Sequence, residues 1–550
     1  MLRYNLINNK IFLMVRNKRT ISNKLWDVYV LIIWRWFFLF ANKRRVFMSA
    51  KFDIVIIGGG VIGTAIARRL SRYELDICLL EKDADVASGT SKANSGIIHA
   101  GYNAAVDTLK GRLNIKSNPL FDKIAEDLKV PFKRIGSLVV GFTEEDKEWL
   151  KKEKEMGESK GIKDLQLLDQ KELLHQEPEI HSEASAALYA PTAGIISPYK
   201  LTIAQAENAV KNGVEIKLLS EVVDIRTKNG YIAGVILNSG EEIKTKVIIN
   251  AAGLYADEIA AMVGERYKIT PRKGEYNLFD KEYGDLVNHV IFPMPSKESK
   301  GILITPTVDG NLLLGPNSNP VEEKDDLAVT KEGLEEIWQG GTSLYPNLPR
   351  DGVIASFAGL RATLPSDDFK IEALNEPVGF IDVAGIQSPG LSSAPAIANM
   401  VAEILDDIRT SLQEELKLIE ANFLPELEKQ PSFQDYKQNL HEWQQIFLQN
   451  KKYGEVICRC EHVTRGEIEA ELDKEFISPT LNGIKRRTRA GGGRCQGGFC
   501  GPRIAEIIAE KIGISPLEVT KSGPGSEILW TRVKDVKPDR DIVYGMGDKS

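Results

Sequence analysis

Phe52-Asp-Ile-Val-Ile-Ile-Gly-Gly-Gly-Val-Ile-Gly-Thr-Ala-Ile-Ala-Arg-Arg-Leu70 decides the fold. Its first part is a short apolar run closed by glycine, which reads as a buried strand. From Val61 the apolar positions follow a helical period. Between the two stands Gly58-x-Gly60-x-x-Gly63. In this setting Gly58 permits the tight turn, Gly60 lets a pyrophosphate reach the helix N-terminus, and Gly63 lets helix and strand pack closely. A second apolar strand, Asp76-Ile-Cys-Leu-Leu80, delivers Glu81, about twenty residues on, where a carboxylate takes ribose hydroxyls. An α/β, Rossmann-like dinucleotide-binding domain therefore opens at residue 52.

Three later stretches bear on which dinucleotide is held. Glu81 is followed by the hydroxyl-rich Ala87-Ser-Gly-Thr-Ser-Lys-Ala-Asn-Ser-Gly-Ile-Ile-His-Ala-Gly101, which contains Ser91, Asn94, Ser95 and His99. Val247-Ile-Ile-Asn-Ala-Ala-Gly253 closes another strand on small residues. Gly385-Ile-Gln-Ser-Pro-Gly-Leu-Ser-Ser-Ala-Pro-Ala396 places Gly385, Ser388, Gly390, Leu391 and Ser392 in a turn before an apolar helix. Three separated segments returning to one cofactor suit the long FAD better than a nicotinamide dinucleotide.

Near the C-terminus, Cys458-x-Cys460 and Cys495-x4-Cys500 account for four of the five cysteines, the second pair inside a glycine-rich run. A 2Fe-2S cluster takes four thiolates and needs backbone N–H groups close to its sulfurs, which glycines permit. Structural zinc, two disulfides and ordinary buried thiols are the competing readings. Zinc favours pairs two to four residues apart, and disulfides need an oxidising compartment. Cys78, in an apolar run, reads as a small core residue. The basic run Lys485-Arg-Arg-Thr-Arg489 reads as charge balance for an anionic cluster.

A net charge of -6 and 27% charged residues describe a multidomain globular chain with no bulk attraction for nucleic acid. Residues 1–47 stand apart: they are basic and carry the apolar run Val28-Tyr-Val-Leu-Ile-Ile-Trp-Arg-Trp-Phe-Phe-Leu-Phe-Ala41, which Arg35 interrupts. Met48 as the true start is the leading expectation, with a membrane anchor or a targeting peptide as alternatives. Residues 52–410 are expected to hold the FAD domain, with a discontinuous α+β substrate domain at about 140–195 and 266–350 whose sheet roofs the flavin. Residues 411–452 read as a helical connector, 453–510 as a small helical cluster domain, and 511–550 as a tail.

The quoted stretches, with Arg272-Lys-Gly-Glu-Tyr276, Lys300-Gly-Ile-Leu-Ile-Thr-Pro306 and Ser356-Phe-Ala-Gly-Leu-Arg361, resemble the FAD-dependent amino-acid-oxidase-type superfamily, above all the shorter bacterial glycerol-3-phosphate oxidases. Cys458-Arg-Cys-Glu461 and Arg486-Arg-Thr-Arg-Ala-Gly-Gly-Gly-Arg-Cys-Gln-Gly-Gly-Phe-Cys500 are similar to the BFD-like module that ends the A subunit of anaerobic glycerol-3-phosphate dehydrogenase. The resemblance implies FAD, a 2Fe-2S cluster on Cys458, Cys460, Cys495 and Cys500, and oxidation of a small anionic alcohol. Glycerol 3-phosphate going to dihydroxyacetone phosphate is the leading substrate, L-2-hydroxyglutarate the alternative, and a non-catalytic electron-transfer subunit a third reading. His99 is then the general base, Arg361 and Lys300 grip the substrate's anionic end, and Ser388 adds a hydroxyl near the flavin. The family usually has a proline soon after the arginine, whereas Ala362-Thr-Leu364 precedes Pro365 here. The implied partner is an electron-acceptor protein or quinone-linked subunit, and the implied location is cytoplasmic, with association to the inner membrane face left open.

Overall fold

The structure, a computed structural model, describes residues 50–295 and 301–531. Expectations for residues 1–47, for Lys300 and for the last part of the tail lie outside the described residues. Among the described residues no helix is long and apolar enough to cross a membrane.

Two large sheets organise the chain. The first runs Val222–Lys228, Tyr231–Leu237, Glu242–Asn250, Ala50–Ile57, Ile77–Leu80 and Glu215–Lys217, and Phe380–Ala384 joins it by pairing with Glu242–Asn250. Ala50–Ile57 and Ile77–Leu80 lie parallel with Ile54 opposite Ile77 and Ile57 opposite Leu80. Parallel strands buried on both faces read as unbroken apolar runs, as Ile54–Ile57 and Ile77–Leu80 do. Helices Val61–Leu70, Pro198–Lys211 and Gly390–Ile408 supply the apolar cover on one face, with Ile66, Leu201 and Ile397 in a common core. Cys78 is fully buried in the core of the other face, as its neighbours in sequence suggest.

The second sheet has nine strands drawn from three stretches of chain. Ser137–Gly141, Gln166–Asp169 and Ala186–Ala190 come from the first, and four strands between Thr270 and Leu314 with Asn319–Pro320 from the second. The third is Val353–Thr363, which pairs with Thr270–Phe279 from Thr363 opposite Thr270 to Val353 opposite Phe279. The sheet thus extends past the boundary near 350 expected for the substrate domain. Small residues in Ala355-Ser-Phe-Ala-Gly359 mask the strand's alternation in sequence. Gly359 is required by crowding, because a Cβ there would stand 2.1 Å from Ala93 O.

The connector is not helical throughout. Only Phe433–Tyr436 and Leu440–Gln449 are helices, whereas the preceding stretch is an extended strap. Glu74 N–H donates to Ile419 O (2.8 Å), Ala421 N–H donates to Arg72 O (2.7 Å), and Asn208 Nδ2 donates to Leu424 O (3.0 Å). Prolines 425 and 431 lack the N–H a helix would use, so tertiary hydrogen bonds outweigh the helix-favouring Glu and Lys content.

The cluster domain has its own core. Helices Arg465–Leu472, Leu481–Thr488 and Gly501–Ile512 bury Ile468, Ile484, Ile504 and Ile508 together. Val519, inside the expected tail, is fully buried in that core. Gly513, at φ 74°, caps the last helix and turns the chain back over it. The packed core therefore runs past 510, which falls inside the helix Gly501–Ile512.

Candidate active site and cluster site

The glycine turn is built as its spacing requires. Gly58 has φ 108°, and a Cβ there would stand 2.4 Å from Ala251 O; one on Gly63 would stand 1.9 Å from Gly58 O. Gly60 precedes the first helical residue, where orphan N–H groups and the helix dipole favour a phosphate. Glu81 is buried and accepts from Gly59 N–H (2.7 Å) through Oε2 and from Asp83 N–H (2.9 Å) through Oε1. Burial pushes its pKa up, and those N–H bonds work in the opposite sense. A carboxylate has about four acceptor sites, so capacity for ribose hydroxyls remains. These residues fit an FAD.

The neighbouring segment serves partly as scaffold. Ser91 Oγ accepts from Val61 N–H (2.9 Å), so it caps the dinucleotide helix while keeping its own hydroxyl proton to donate. Asn94 Oδ1 accepts from Gly96 N–H (2.9 Å) and holds a turn. Ser392, fully buried near the start of Gly390–Ile408, accepts from His99 N–H (2.9 Å) and donates to Ile97 O (3.0 Å). Asn114 and Asn118 Nδ2 both donate to His99 O, at 3.3 and 3.0 Å. The main chain at His99 is thereby fixed from three directions. Its half-buried ring tilts against Phe292 at 5.9 Å between centroids. Both line a cavity with Asn114, Ser137, Trp149 and Pro389. Ser388 is exposed and joined to Pro389 by a cis peptide bond. Gly253, Gly385 and Gly390 lie at turns or helix starts, with Gly253 at φ 59° and Gly385 at φ 68°; Leu391 follows in the first helical turn.

Arg361 is not on the wall of that cavity. It lies on Val353–Thr363 directly opposite Arg272, and its guanidinium donates to Ser318 Oγ and Asn317 O, both at 3.2 Å. Burial, with Arg272 acting in the same sense and Tyr276 against it, lowers its pKa. Strand alternation puts Arg272, Gly274 and Tyr276 on one face with Arg361. Tyr276 hydrogen-bonds Arg361 and accepts from Ser95 Oγ (3.5 Å), so it links the roof to the His99 segment. Thr90 Oγ1 donates to Leu360 O (2.7 Å), closing the same junction. Sequence reading missed Arg272 and Tyr276 as site residues, although both stand in the quoted Arg272-Lys-Gly-Glu-Tyr276 and period-two alternation was the available signal. The strand continues straight to Thr363, so the delayed proline does not disturb the chain at Arg361.

The four C-terminal cysteines are free thiols in two pairs. Cys460 Sγ lies 3.8 Å from Cys495 Sγ, and Cys500 hydrogen-bonds Cys458. The Cys500 contact outweighs burial and pulls the Cys458 thiol down, while Cys500 rises. Backbone N–H groups of Gly491 and Glu461 point at Cys458, and those of Phe499 and Gly497 at Cys495. Gly491 and Gly497 sit at φ 89° and 87°, and a Cβ on Gly493 would stand 2.5 Å from Cys460 Cβ. Two sulfurs for each of two irons is the donor set of a 2Fe-2S cluster, and these residues fit it. Cys458 and Cys500 are buried, whereas Cys460 is half-buried and Cys495 exposed.

The basic run beside the cysteines is not balancing the cluster. Arg486 and Arg487 pair with the buried Asp85 at 3.0 and 2.8 Å, and Arg489 pairs with Glu461 (3.3 Å) and Asp309 (3.4 Å). The pairs with Asp85 and Asp309 are docking contacts to the FAD domain and the second sheet, invisible in sequence because those partners lie far away along the chain, whereas Glu461 belongs to the cluster domain itself.

The family profile described as FAD dependent oxidoreductase matches residues 53–404, and that of the BFD-like [2Fe-2S] binding domain matches 456–510. A glycerol 3-phosphate dehydrogenase of Caloramator mitchellensis is 46% identical over 480 residues, spanning 87% of this chain and 98% of its own. A glycerol 3-phosphate oxidase of Mycoplasma genitalium is 34% identical over 64% of this chain and 94% of its own. Among solved structures, dithionite-reduced L-alpha-glycerophosphate oxidase from Mycoplasma pneumoniae with FAD bound superposes with a TM-score of 0.64 at 31% identity, over 69% of this chain and 99% of that one. The turn that admits no Cβ, the paired cysteines and these likenesses agree, and the chain belongs to the FAD-dependent oxidoreductases, carrying a BFD-like 2Fe-2S domain at its C-terminal side.

Proposed function

We propose that this enzyme oxidises glycerol 3-phosphate to dihydroxyacetone phosphate and sends the electrons through its cluster to an acceptor protein or quinone-linked subunit. The observation that carries the reading is the 46% identity to the Caloramator protein named glycerol 3-phosphate dehydrogenase, which spans both domains. When bound, FAD accepts the hydride from the substrate's carbinol carbon. His99, its main chain fixed by Ser392, Asn114 and Asn118, takes the hydroxyl proton. Arg361 and Arg272, opposed on neighbouring strands, hold the phosphate: two guanidiniums directly across a strand pair repel unless an anion lies between them. Lys300 is a further point charge for the same group, and Ser388 a hydroxyl donor beside Pro389 on the cavity wall. The exposed edge of the cluster site, Cys495 with half-buried Cys460, supports electron exit on that side.

Anaerobic mixing of the holoprotein with glycerol 3-phosphate or with L-2-hydroxyglutarate tests the substrate. Rapid loss of flavin absorbance is expected with the phosphate alone. Reduction by the hydroxyacid alone transfers the assignment to the carboxylate, and reduction by neither leaves the electron-transfer-subunit reading standing.

A further inference from the structure

The segment Glu81 to Ala87 is held between two domains. Towards the glycine turn, Glu81 accepts from Gly59 N–H and Ala87 N–H donates to Gly59 O (3.0 Å). Val86 Cγ1 lies 2.9 Å from where a Gly59 Cβ would be. Towards the cluster domain, Ser478 Oγ donates to Ala84 O (2.9 Å), Arg486 donates to Asp85 Oδ2 (3.0 Å), and Arg487 grips both Asp85 oxygens at 2.8 and 3.1 Å. Phe476 joins Val86, Ile203 and Ala206 in one apolar cluster. Gly523 comes so close that its Cβ would stand 2.7 Å from that of Ala84. The side chains of Asp85 and Arg487 are 1% and 3% exposed.

We infer that the cluster domain is a wall of the FAD site: Ser478, Arg486, Arg487 and Gly523 press Glu81–Ala87 onto the glycine turn, so that FAD retention and docking of the cluster domain stabilise each other. Asp85 deprived of its arginines is an uncompensated buried charge, and the loop relieves it by swinging outward to water. Glu81 sits on the same short segment, so its ribose-facing carboxylate leaves with it. Coupling of this kind is reciprocal: whatever docking adds to FAD binding, FAD adds to docking. Arg486 and Arg487 act here as positioning residues, whatever alcohol is oxidised.

The test reads FAD release from the diluted holoprotein, without substrate, by the rise of free-flavin fluorescence, and iron content in the same samples. Asp85→Asn and Arg487→Ala are expected to release FAD about 5- to 150-fold faster, the usual span of inter-site coupling, with iron content kept; Arg487→Lys falls between them and the parent. Unchanged release in both variants, or faster release only in step with lost iron, overturns the inference. Hydrogen exchange on the unmodified chain covers a variant that fails to fold. Adding FAD is expected to slow exchange across Leu481–Thr488, and no slowing there overturns the inference equally.

Discussion

The flavin cradle and the cluster site are both glycine-rich turns, yet they are built on opposite plans. The cradle gathers residues far apart in sequence, Gly58, Glu81 and Ala251, and packs them until no methyl group fits. The cluster site is assembled from one local module. Its inner cysteines are sealed, and its outer edge, at Cys495, meets solvent. One site is packed shut around its turn, whereas the other leaves an edge open to solvent. Substitutions at the two should therefore fail in different ways.

The largest effect is expected at Gly63. A Cβ there would stand 1.9 Å from a backbone oxygen, a clash relieved only by moving the strand-helix unit. Overpacking of this kind costs about 1–3 kcal/mol or more. Gly63→Ala should therefore purify without flavin, as read by absorbance. Tight FAD binding in this variant would break the contrast, because it would show that the cradle yields as the rim does.

His99→Gln comes next. Removing a general base slows proton transfer about 100- to 10,000-fold, so single-turnover flavin reduction should fall by that factor with FAD still bound. Full-rate reduction removes His99 from the chemistry. At the open site the comparison becomes graded. Cys458→Ser and Cys500→Ser, at the buried pair, should abolish the cluster's visible spectrum, whereas Cys495→Ser, where water can complete the ligand set, should leave a depleted but detectable cluster. Equal loss in all three would erase the inner-outer distinction.

What the sequence disclosed follows the same division. Gly58-x-Gly60-x-x-Gly63 and the cysteine spacings were legible because each encodes a local constraint: a turn no side chain can enter, a thiol where the chain doubles back. The strand Val353–Thr363 was hidden because small residues, among them a Gly359 forced by the approach of Ala93, suppress its alternation. The docking role of Arg486, Arg487 and Arg489 was hidden because a basic run looks alike beside a metal cluster or across a domain junction. Only the fold identifies Asp85, Asp309 and Glu461 as its partners.

The last comparison sets two carboxyls side by side, one in each region, and reads the shape of a pH profile. Asp382 is fully buried in the flavin sheet and takes hydrogen bonds from Asn250 (2.9 Å) and Tyr267 (3.0 Å) through one oxygen. Burial raises its pKa from 3.8 to about 6. Asp309, at the docking junction, is also pushed up by burial, but Lys200 and Arg489 overcome this and hold it at about 2. The signs are opposite. Folded Asp382 binds its proton more tightly than the unfolded chain does, so it withdraws stability as pH rises from about 4 to 6, by on the order of 3 kcal/mol for two pKa units. Asp309 adds stability above pH 4 that is lost as pH falls towards 2. Urea midpoints measured from pH 2 to 8 should therefore show Asp382→Asn gaining on the parent as pH rises from about 4 to 6 and holding that gain above it. Asp309→Asn should lose most at neutral pH and converge on the parent in acid. Parallel pH profiles for all three proteins would mean that neither carboxyl is held as the packing around it requires.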